Sequence, residues 1–317
     1  IILERFLSMN TNTVETKRIA IFLAVAFGFA WLMALIIYLT GGLVNSPELI
    51  PGTGISLALA LEAVGYMGAP ALGNVVTRLV TREGWQNAML QPNLQKGWRY
   101  WVAGWLLPAL FPIVGAALFF ILFPQYYDAN LTLFRSQLAS APEAVRAMNP
   151  WLLIAIQLLQ ALLFAPLFNS LSTFGEEFGW RAYLLPKLLP LGKRKALLLS
   201  GVIWGIWHAP VIAMGHNYGL DYAGFPWLGI LVMTWFTVVI GVFIGWVTLR
   251  GGSVWPAVLA HAVTNGFAAV SVLVLKGEPN RLLGPTPVGI IASLPIAYLA
   301  FRILSSRWAK TETESND

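Results

Sequence analysis

The chain has 317 residues, of which 57% are hydrophobic and only 11% are charged, and its mean hydropathy is +0.70. A soluble protein of this length could not bury so much apolar surface, so the composition indicates a multi-pass helical membrane protein. The net charge of +6 does not indicate nucleic-acid binding, because the basic residues lie in short loops beside apolar segments. The absence of cysteine excludes disulfides, thiol catalysis and cysteine-ligated metals.

Eight apolar segments follow one another along the chain, and each has roughly the 20 residues needed to cross a bilayer. We predict spans at about 19–40, 55–79, 100–123, from 151 to an acidic stretch at 174–181, and then at 196–214, 225–249, 253–275 and 288–304. The expected fold is therefore all-α, a bundle of about eight transmembrane helices that forms one integral-membrane domain over residues 1–317. No internal repeat is evident, which counts against an inverted-repeat transporter.

The loops on one side of this bundle are far richer in Lys and Arg than the loops on the other side. The positive-inside rule then places both termini in the cytoplasm, and we expect a multi-pass protein of the cell membrane. Residues 1–17 are predicted to be a cytoplasmic segment, and residues 308–317 a disordered polar tail. The first methionine is Met9, so we do not assign residues 1–8 to the natural protein. The first span is long and lacks a small-residue cleavage site, so no cleavable signal peptide is expected.

The acidic stretch Phe174–Arg181 carries charge in a part of the chain that is otherwise apolar. A charge near the middle of a bilayer costs a few kcal/mol or more, so it tends to be paired and functional. Glu177 and Arg181 are four residues apart and can pair on one helix face. Glu176 lies about 100° further round the helix and stays available. The two carboxylates are therefore expected to have different roles, one structural and one chemical.

Two histidines lie inside later spans, at a depth similar to that of Glu176. At 1.5 Å of rise per residue, Glu176 is roughly 15–20 Å from the basic turn at 187–195, His208 is roughly 20 Å from the same turn, and His261 is roughly 15 Å from the turn at 250–252. Buried polar groups in lipid need partners, so one cluster is predicted. A glutamate with a histidine partner can take a proton from water. His261 and Asn265, four residues apart, can supply the donors of an oxyanion hole.

Three further polar residues are expected to have ordinary structural roles. His216 follows the fifth span in a polar loop, where a histidine needs no special explanation. Glu62 stands alone in the second span and is interpreted as structural or as facing the lumen. Arg78, at the end of that span, is expected to extend its charge to the membrane surface.

The three motifs on successive membrane segments resemble those of the CPBP family, the CAAX-protease and bacteriocin-processing intramembrane enzymes, also called the ABI family. The first motif is Glu-Glu-x-x-x-Arg at 176–181, the second is an aromatic residue followed by His at 204–208, and the third is His-x-x-x-Asn at 261–265. The resemblance covers about 169–267, and the catalytic core is expected at about 150–270. One residue departs from the pattern, because the family usually has Phe where this chain has Trp204. We expect that change to alter the shape of the pocket rather than abolish the chemistry.

The resemblance implies a CAAX-type intramembrane endopeptidase with an intramembrane cavity open to the cytoplasm. Glu176 and His208 would activate a water molecule, and His261 and Asn265 would stabilise the oxyanion. Glu177, Arg181 and Trp204 would support them. The implied substrate is a peptide or a lipidated peptide, and nothing in the chain shows whether it is prenylated.

Three alternatives remain open from the sequence. Glu176, His208 and His261 could form a zinc site, although the chain has no His-Glu-x-x-His helix and we favour a reaction without a metal or other cofactor. The same three residues could form the proton or ion path of a transporter. The third alternative is a membrane scaffold without catalytic activity.

Overall fold

The computed structural model describes residues 13–310 of the chain. Most of the predicted cytoplasmic segment 1–17, and the predicted tail from residue 311 onward, lie outside the described residues. The first residues of that predicted tail pack against the body of the protein. Ala309 is buried, and the backbone carbonyl of Trp308 accepts a hydrogen bond from the Lys193 ammonium at 3.0 Å.

The predicted all-α fold is confirmed. In chain order the helices are α1 Thr16–Leu39, α2 Leu57–Thr81, α3 Leu94–Leu122, α4 Thr132–Gln137, α5 Glu143–Arg146, α6 Pro150–Gly179, α7 Lys193–Trp207, α8 Ala209–Ile212, α9 Trp227–Gly251, α10 Trp255–Phe267 and α11 Leu294–Ser305. Short 3-10 segments occur at Pro124–Tyr126, Leu138–Ser140, Leu189–Leu191 and Val270–Val274. Two strands, β1 Glu48–Ile50 and β2 Ile55–Ser56, pair antiparallel in the loop between α1 and α2 and form the one sheet of the described residues.

π-Helical turns, in which hydrogen bonds join residues five apart, occur at two places in the chain. In α2 the π-helical part is Leu61–Tyr66. Directly after α6, the π-helical turn Trp180–Leu184 is followed by the helical residues Leu185–Leu188. Such turns are rare and occur often at functional sites, and the second one begins three residues after the paired glutamates (180 − 177 = 3).

By length and composition, six helical segments can cross a membrane. They are Thr16–Leu39, Leu57–Thr81, Leu94–Leu122, Pro150–Leu191, Trp227–Gly251 and Trp255–Val274. This confirms a polytopic membrane protein and matches six of the eight predicted spans.

The other two predicted spans contain shorter helices than expected. The span at 196–214 is interrupted at His208, because Pro210 has no N–H to continue the helical hydrogen bonds, and α8 follows as a separate turn. The span at 288–304 becomes helical only at Leu294. Before that residue the chain folds back on itself, since the N–H of Ile290 donates to the carbonyl of Leu282 at 2.9 Å.

Helix α9 lies at the centre of the bundle. Val242, Phe243 and Ile244 are consecutive and all have no exposed surface. Successive residues point about 100° apart on a helix, so neighbours must cover α9 on every side. It packs against α3, α7, α10 and α11. At the level of these three residues the helix is thus enclosed by protein, whereas Trp227 and Leu231, nearer its start, are exposed.

Helix α6 has an outward-facing apolar part and a buried acidic end. Leu167, Phe168 and Leu171 are 71–80% exposed, as expected for side chains in contact with lipid. From Thr173 onward most residues are buried, including both glutamates. The charged residues therefore lie on the part of α6 that is enclosed by protein.

Glycines let the helices that carry the acidic stretch and its neighbours approach closely. A Cβ atom on Gly175 of α6 would lie 2.6 Å from the carbonyl oxygen of Met67 in α2. A Cβ atom on Gly201 of α7 would lie 2.6 Å from the Cα of Val238 in α9. Both separations are shorter than any ordinary carbon contact. Small residues at these positions bring the helix backbones together, as is common in membrane proteins.

The expectation that Arg78 extends to the membrane surface is wrong. Its side chain is 2% exposed and donates to the side chain of Asn74 at 2.7 Å and to the carbonyl of Gly84 at 2.6 Å. Asn74 in turn donates to the carbonyl of Phe178 at 2.7 Å. The loop after α2 folds over the arginine and satisfies it, and the same bonds tie α2 to the acidic end of α6.

A second polar cluster joins three segments at this end of the bundle. The Lys187 ammonium contacts the carboxylates of Glu15 and Glu83 at 2.6 Å each, and the Tyr183 hydroxyl donates to Glu83 at 3.0 Å. Burial opposes the ionisation of Glu83, but the hydrogen bonds from Lys187 and Asn87 and the charges of Lys187 and Arg78 outweigh it and lower the pKa of this carboxyl. The cluster links the start of α1, the loop after α2 and the helical residues that follow α6.

Candidate active site

Six predicted site residues come together in the interior, from three helices that are distant in sequence. Glu176 and Glu177 lie near the end of α6, and Arg181 lies in the π-helical turn that follows. Trp204 lies in α7, and His208 stands at the break between α7 and α8. His261 lies in the middle of α10. All six side chains are buried, with at most 8% of their surface exposed.

Glu177 binds two partners through one carboxylate oxygen. Arg181 Nη1 lies 3.0 Å from Oε1, which is the predicted helical pair. His261 Nδ1 lies 2.8 Å from the same oxygen. An ionised carboxylate can only accept, so Nδ1 of His261 carries the hydrogen and donates it. Glu177 therefore orients His261 as well as pairing with Arg181.

Glu176 has a different partner from its neighbour. The indole N–H of Trp204 donates to Oε2 of Glu176 at 2.7 Å. The other oxygen, Oε1, makes no hydrogen bond with any described residue. The two adjacent carboxylates thus differ in their surroundings, as the sequence predicts. One is held by charged groups, and the other is held by a neutral donor.

His208 is oriented by its own helix. Its Nδ1 lies 2.8 Å from the carbonyl oxygen of Trp204, one turn earlier. A carbonyl oxygen only accepts, so Nδ1 carries the hydrogen, and Nε2 of the neutral ring has a free lone pair. The edge of the Trp207 ring packs against the imidazole, with 4.9 Å between the ring centroids. His208 is consequently set up as a hydrogen-bond acceptor.

Trp204 contacts four of the other five residues of the cluster, all except Glu177. The Arg181 guanidinium lies over the indole face, 4.0 Å from the ring centroid. The rings of His261 and His208 lie with their centroids 5.4 Å and 5.8 Å away. Glu176 and His208 make no direct hydrogen bond within the described residues, and Trp204 is the side chain that touches both.

The charges of the cluster are close to balance. Glu176 and Glu177 are two carboxylates, and Arg181 is the one permanent cation among the six residues. A proton on His261, which already donates to Glu177, makes the total neutral. Neutral clusters of paired charges are the arrangement that a low-dielectric interior tolerates best. His208 is buried among aromatic rings and donates to a neutral carbonyl, and this burial favours its neutral form.

Asn265 is the one predicted catalytic residue that is not held within the cluster. It lies one turn beyond His261 on α10, as its spacing predicts, but its side chain is exposed. It makes no side-chain hydrogen bond with the described residues. The edge formed by His261 and Asn265 therefore runs from the buried cluster to an accessible surface.

A comparison with protein families matches residues 150–267 to the family described as type II CAAX prenyl endopeptidase Rce1-like. Residues 150–267 are similar to that family. The Rce1-like region begins at the first residue of α6 and ends at the last residue of α10, so it contains every predicted site residue. A search of curated proteins finds no match to the chain. The chain is thus a multi-pass membrane protein that contains a region similar to a protease family.

The Rce1-like region contains the residues proposed for the zinc alternative, but their contacts do not form a set of metal ligands. Within residues 13–310, no group of three His, Cys, Asp or Glu side chains is arranged to hold one metal ion. The arrangement therefore assigns no step to zinc, and a chelator experiment tests metal dependence.

Three contacts in and around the Rce1-like region were not predicted. The bond from Trp204 to Glu176 was missed, although the replacement of the expected Phe by Trp signals an added N–H donor. The bond between Glu177 and His261 joins residues 84 positions apart, and no local pattern indicates it. Glu62 and His216, interpreted separately as structural and loop residues, approach within 3.1 Å of each other.

Proposed function

We propose that the chain is an intramembrane endopeptidase that hydrolyses a peptide bond with an activated water molecule. Glu176 and His208 take up the proton of the water, and His261 and Asn265 stabilise the oxyanion. The observation that carries the proposal is the difference between the two histidines. His208 donates through Nδ1 to a neutral carbonyl, whereas His261 donates through Nδ1 to a carboxylate.

That difference suits the two halves of the reaction. With Nδ1 protonated and its ring neutral, His208 offers the Nε2 lone pair as an acceptor for a proton of water. The unbonded Oε1 of Glu176 is a second acceptor. As the water oxygen bonds to the scissile carbonyl carbon, its proton passes to this acceptor pair and later to the leaving amine. The two groups would thus serve as general base and then as general acid.

His261 serves the oxyanion. Its bond to Glu177 stabilises the protonated ring, so Nε2–H is a donor that a substrate can accept. A fixed donor next to the developing negative charge is the main requirement of an oxyanion hole. Asn265 lies one turn away on the same helix, and its exposed amide would complete the hole once a substrate is bound. Catalytic hydrogen bonds commonly tighten only in the complex with substrate.

The test is a cleavage assay with purified protein and a panel of peptides. The panel contains a farnesylated CAAX peptide, its unprenylated counterpart and a library of membrane-anchored peptides. The proposal predicts cleavage of at least one peptide, with losses of about 10²- to 10⁴-fold in the His208→Ala and His261→Ala variants. Cleavage that is unchanged in both variants would sink the mechanism. Comparison of the two CAAX peptides shows whether the substrate must be prenylated.

Two further arms separate the alternatives. Activity that a chelator removes and zinc restores would favour a metalloprotease. Failure to cleave any peptide, together with proton flux in liposomes that requires Glu176, would favour transport. Failure of both would favour the scaffold.

A further inference from the structure

Trp204 makes a hydrogen bond that phenylalanine, the usual residue at this position in the similar family, could not make. The family to which the chain is similar usually has Phe here, and Phe has no hydrogen-bond donor. In this chain the indole N–H donates to Oε2 of Glu176 at 2.7 Å. Both side chains are buried, with 3% and 2% of their surface exposed. The additional N–H group therefore binds the carboxylate that the proposed reaction uses as a base.

The indole ring is itself fixed on its other sides. The Arg181 guanidinium covers its face at 4.0 Å from the ring centroid, and Arg181 is held by Glu177 at 3.0 Å. The ring of His261 meets it in an edge-to-face arrangement. A buried ring with a cation on its face has little freedom to rotate. The direction of the N–H, and with it the position of the Glu176 carboxylate, is thus set by the rest of the cluster.

The same arrangement holds the carboxylate without a direct ion pair. Arg181 bonds to Glu177 and stacks on the indole, and among the described residues Glu176 makes no salt bridge with it. A carboxylate bound directly to a guanidinium would lose much of its ability to accept a proton. A neutral N–H donor fixes one oxygen and leaves the other free.

We propose that Trp204 is a positioning residue that fixes the Glu176 carboxylate through its indole N–H and keeps Oε1 directed to the water. This rests on the proposed function, in which Glu176 is the base. It predicts that the nitrogen of the ring, rather than its size, matters for the rate.

The experiment removes the N–H in two ways and measures kcat, KM and thermal stability on a peptide that the wild type cleaves. Trp204→Phe keeps an aromatic ring but loses the donor. Incorporation of 3-benzothienylalanine at position 204 keeps the shape of the indole and replaces the N–H by sulfur. The control is Trp235→Phe. Trp235 lies on α9, outside the cluster, and its indole N–H donates to the hydroxyl of Ser293 at 2.9 Å.

The expected result is a fall in kcat of about 10- to 100-fold in both Trp204 variants, the range set by the loss of a hydrogen bond to a charged group. KM and the melting temperature of the benzothienylalanine variant should stay close to those of the wild type, and Trp235→Phe should keep its kcat. A merely structural role would lower stability and leave kcat of the folded fraction unchanged.

Two results would overturn the inference while the proposed function stands. One is a benzothienylalanine variant with wild-type kcat when Glu176→Gln is inactive. The other is a rise in KM at constant kcat, which would make Trp204 a wall of the substrate pocket. Should Trp204→Phe fail to fold, the benzothienylalanine variant decides. A wild type that cleaves no peptide refutes the proposed function first, and the inference with it.

Discussion

At the scale of single residues, Glu177 is the residue whose role in the structure differs most from the role expected from the sequence. The spacing of Glu177 and Arg181 predicts a helical pair, and the structure has that pair at 3.0 Å. The bond from His261 to the same oxygen gives Glu177 a second role. It links the residue that the sequence marks as structural to a residue that it marks as catalytic.

Glu177→Gln should therefore impair both stability and activity. The amide cannot balance Arg181, and an unpaired buried charge costs about 3–5 kcal/mol. It also removes the carboxylate that supports a proton on His261, so kcat should fall by about 10²- to 10⁴-fold. Unfolding in detergent and peptide cleavage measure the two effects. Glu143→Gln, at an exposed residue, is the control and should match the wild type. A Glu177→Gln variant with wild-type kcat would remove His261 from the oxyanion site.

At this scale the sequence is informative wherever partners are close along the chain. Pairs at four-residue spacing, such as Glu177 with Arg181, follow from helix geometry alone. The bond from Trp204 to Glu176 spans 28 residues and depends on how closely α7 approaches α6. That approach depends on the packing of several helices together, which no local pattern specifies.

At the scale of helices, the ends of the elements differ most from prediction. Apolar length identifies a span but does not locate a break within it. The break at His208 frees this residue from a regular helix, and Pro210 accounts for it. The buried position of Arg78 depends on a loop of 82–88 that folds back over α2, which the charge pattern alone does not indicate.

The cluster of Lys187 with Glu15 and Glu83 predicts a dependence of stability on pH. Because the pKa of Glu83 is lower in the folded protein than in the unfolded chain, its ionised form stabilises the fold above the unfolded value of about 4.3. This contribution is lost as the pH falls from that value through the folded pKa. Glu83→Gln should melt at a lower temperature than the wild type at pH 7, and the difference should shrink as the pH falls below about 4.

Thermal melts of both proteins between pH 3 and pH 8 measure this effect. Glu278→Gln, at an exposed position, should follow the wild-type curve throughout. A constant difference in melting temperature between Glu83→Gln and the wild type across the whole range would contradict the role of the charged cluster.

At the scale of the whole molecule, composition and apolar length are enough to predict an all-α polytopic membrane protein. They suffice because a bilayer admits few backbone arrangements, and helices satisfy their own hydrogen bonds. The order of the three motifs along the chain predicts the family, and the matched region 150–267 bears this out. The identity of a substrate depends on the shape and surface of its binding site, which these patterns do not encode.

The predicted orientation can be measured directly, because these 317 residues contain no cysteine. The positive-inside rule predicts that Lys195 faces the cytoplasm and that Glu143 faces the opposite side. Lys195→Cys should therefore react with a membrane-impermeant maleimide only after cells are permeabilised, whereas Glu143→Cys should react in intact cells. The reverse labelling pattern would show that the topology is opposite to the predicted one. Equal labelling of both variants in intact cells would show that the protein has no single orientation.

The central claim is that the carboxylate of Glu176 activates the water that cuts the peptide bond. Its most direct test is kcat of Glu176→Gln on a peptide that the wild type cleaves, with KM and the melting temperature measured alongside. The glutamine keeps the size of the side chain and can still accept the Trp204 hydrogen bond, but it cannot take a proton. The account predicts a fall in kcat of about 10²- to 10⁴-fold with little change in KM or stability. A variant that retains wild-type kcat would contradict it.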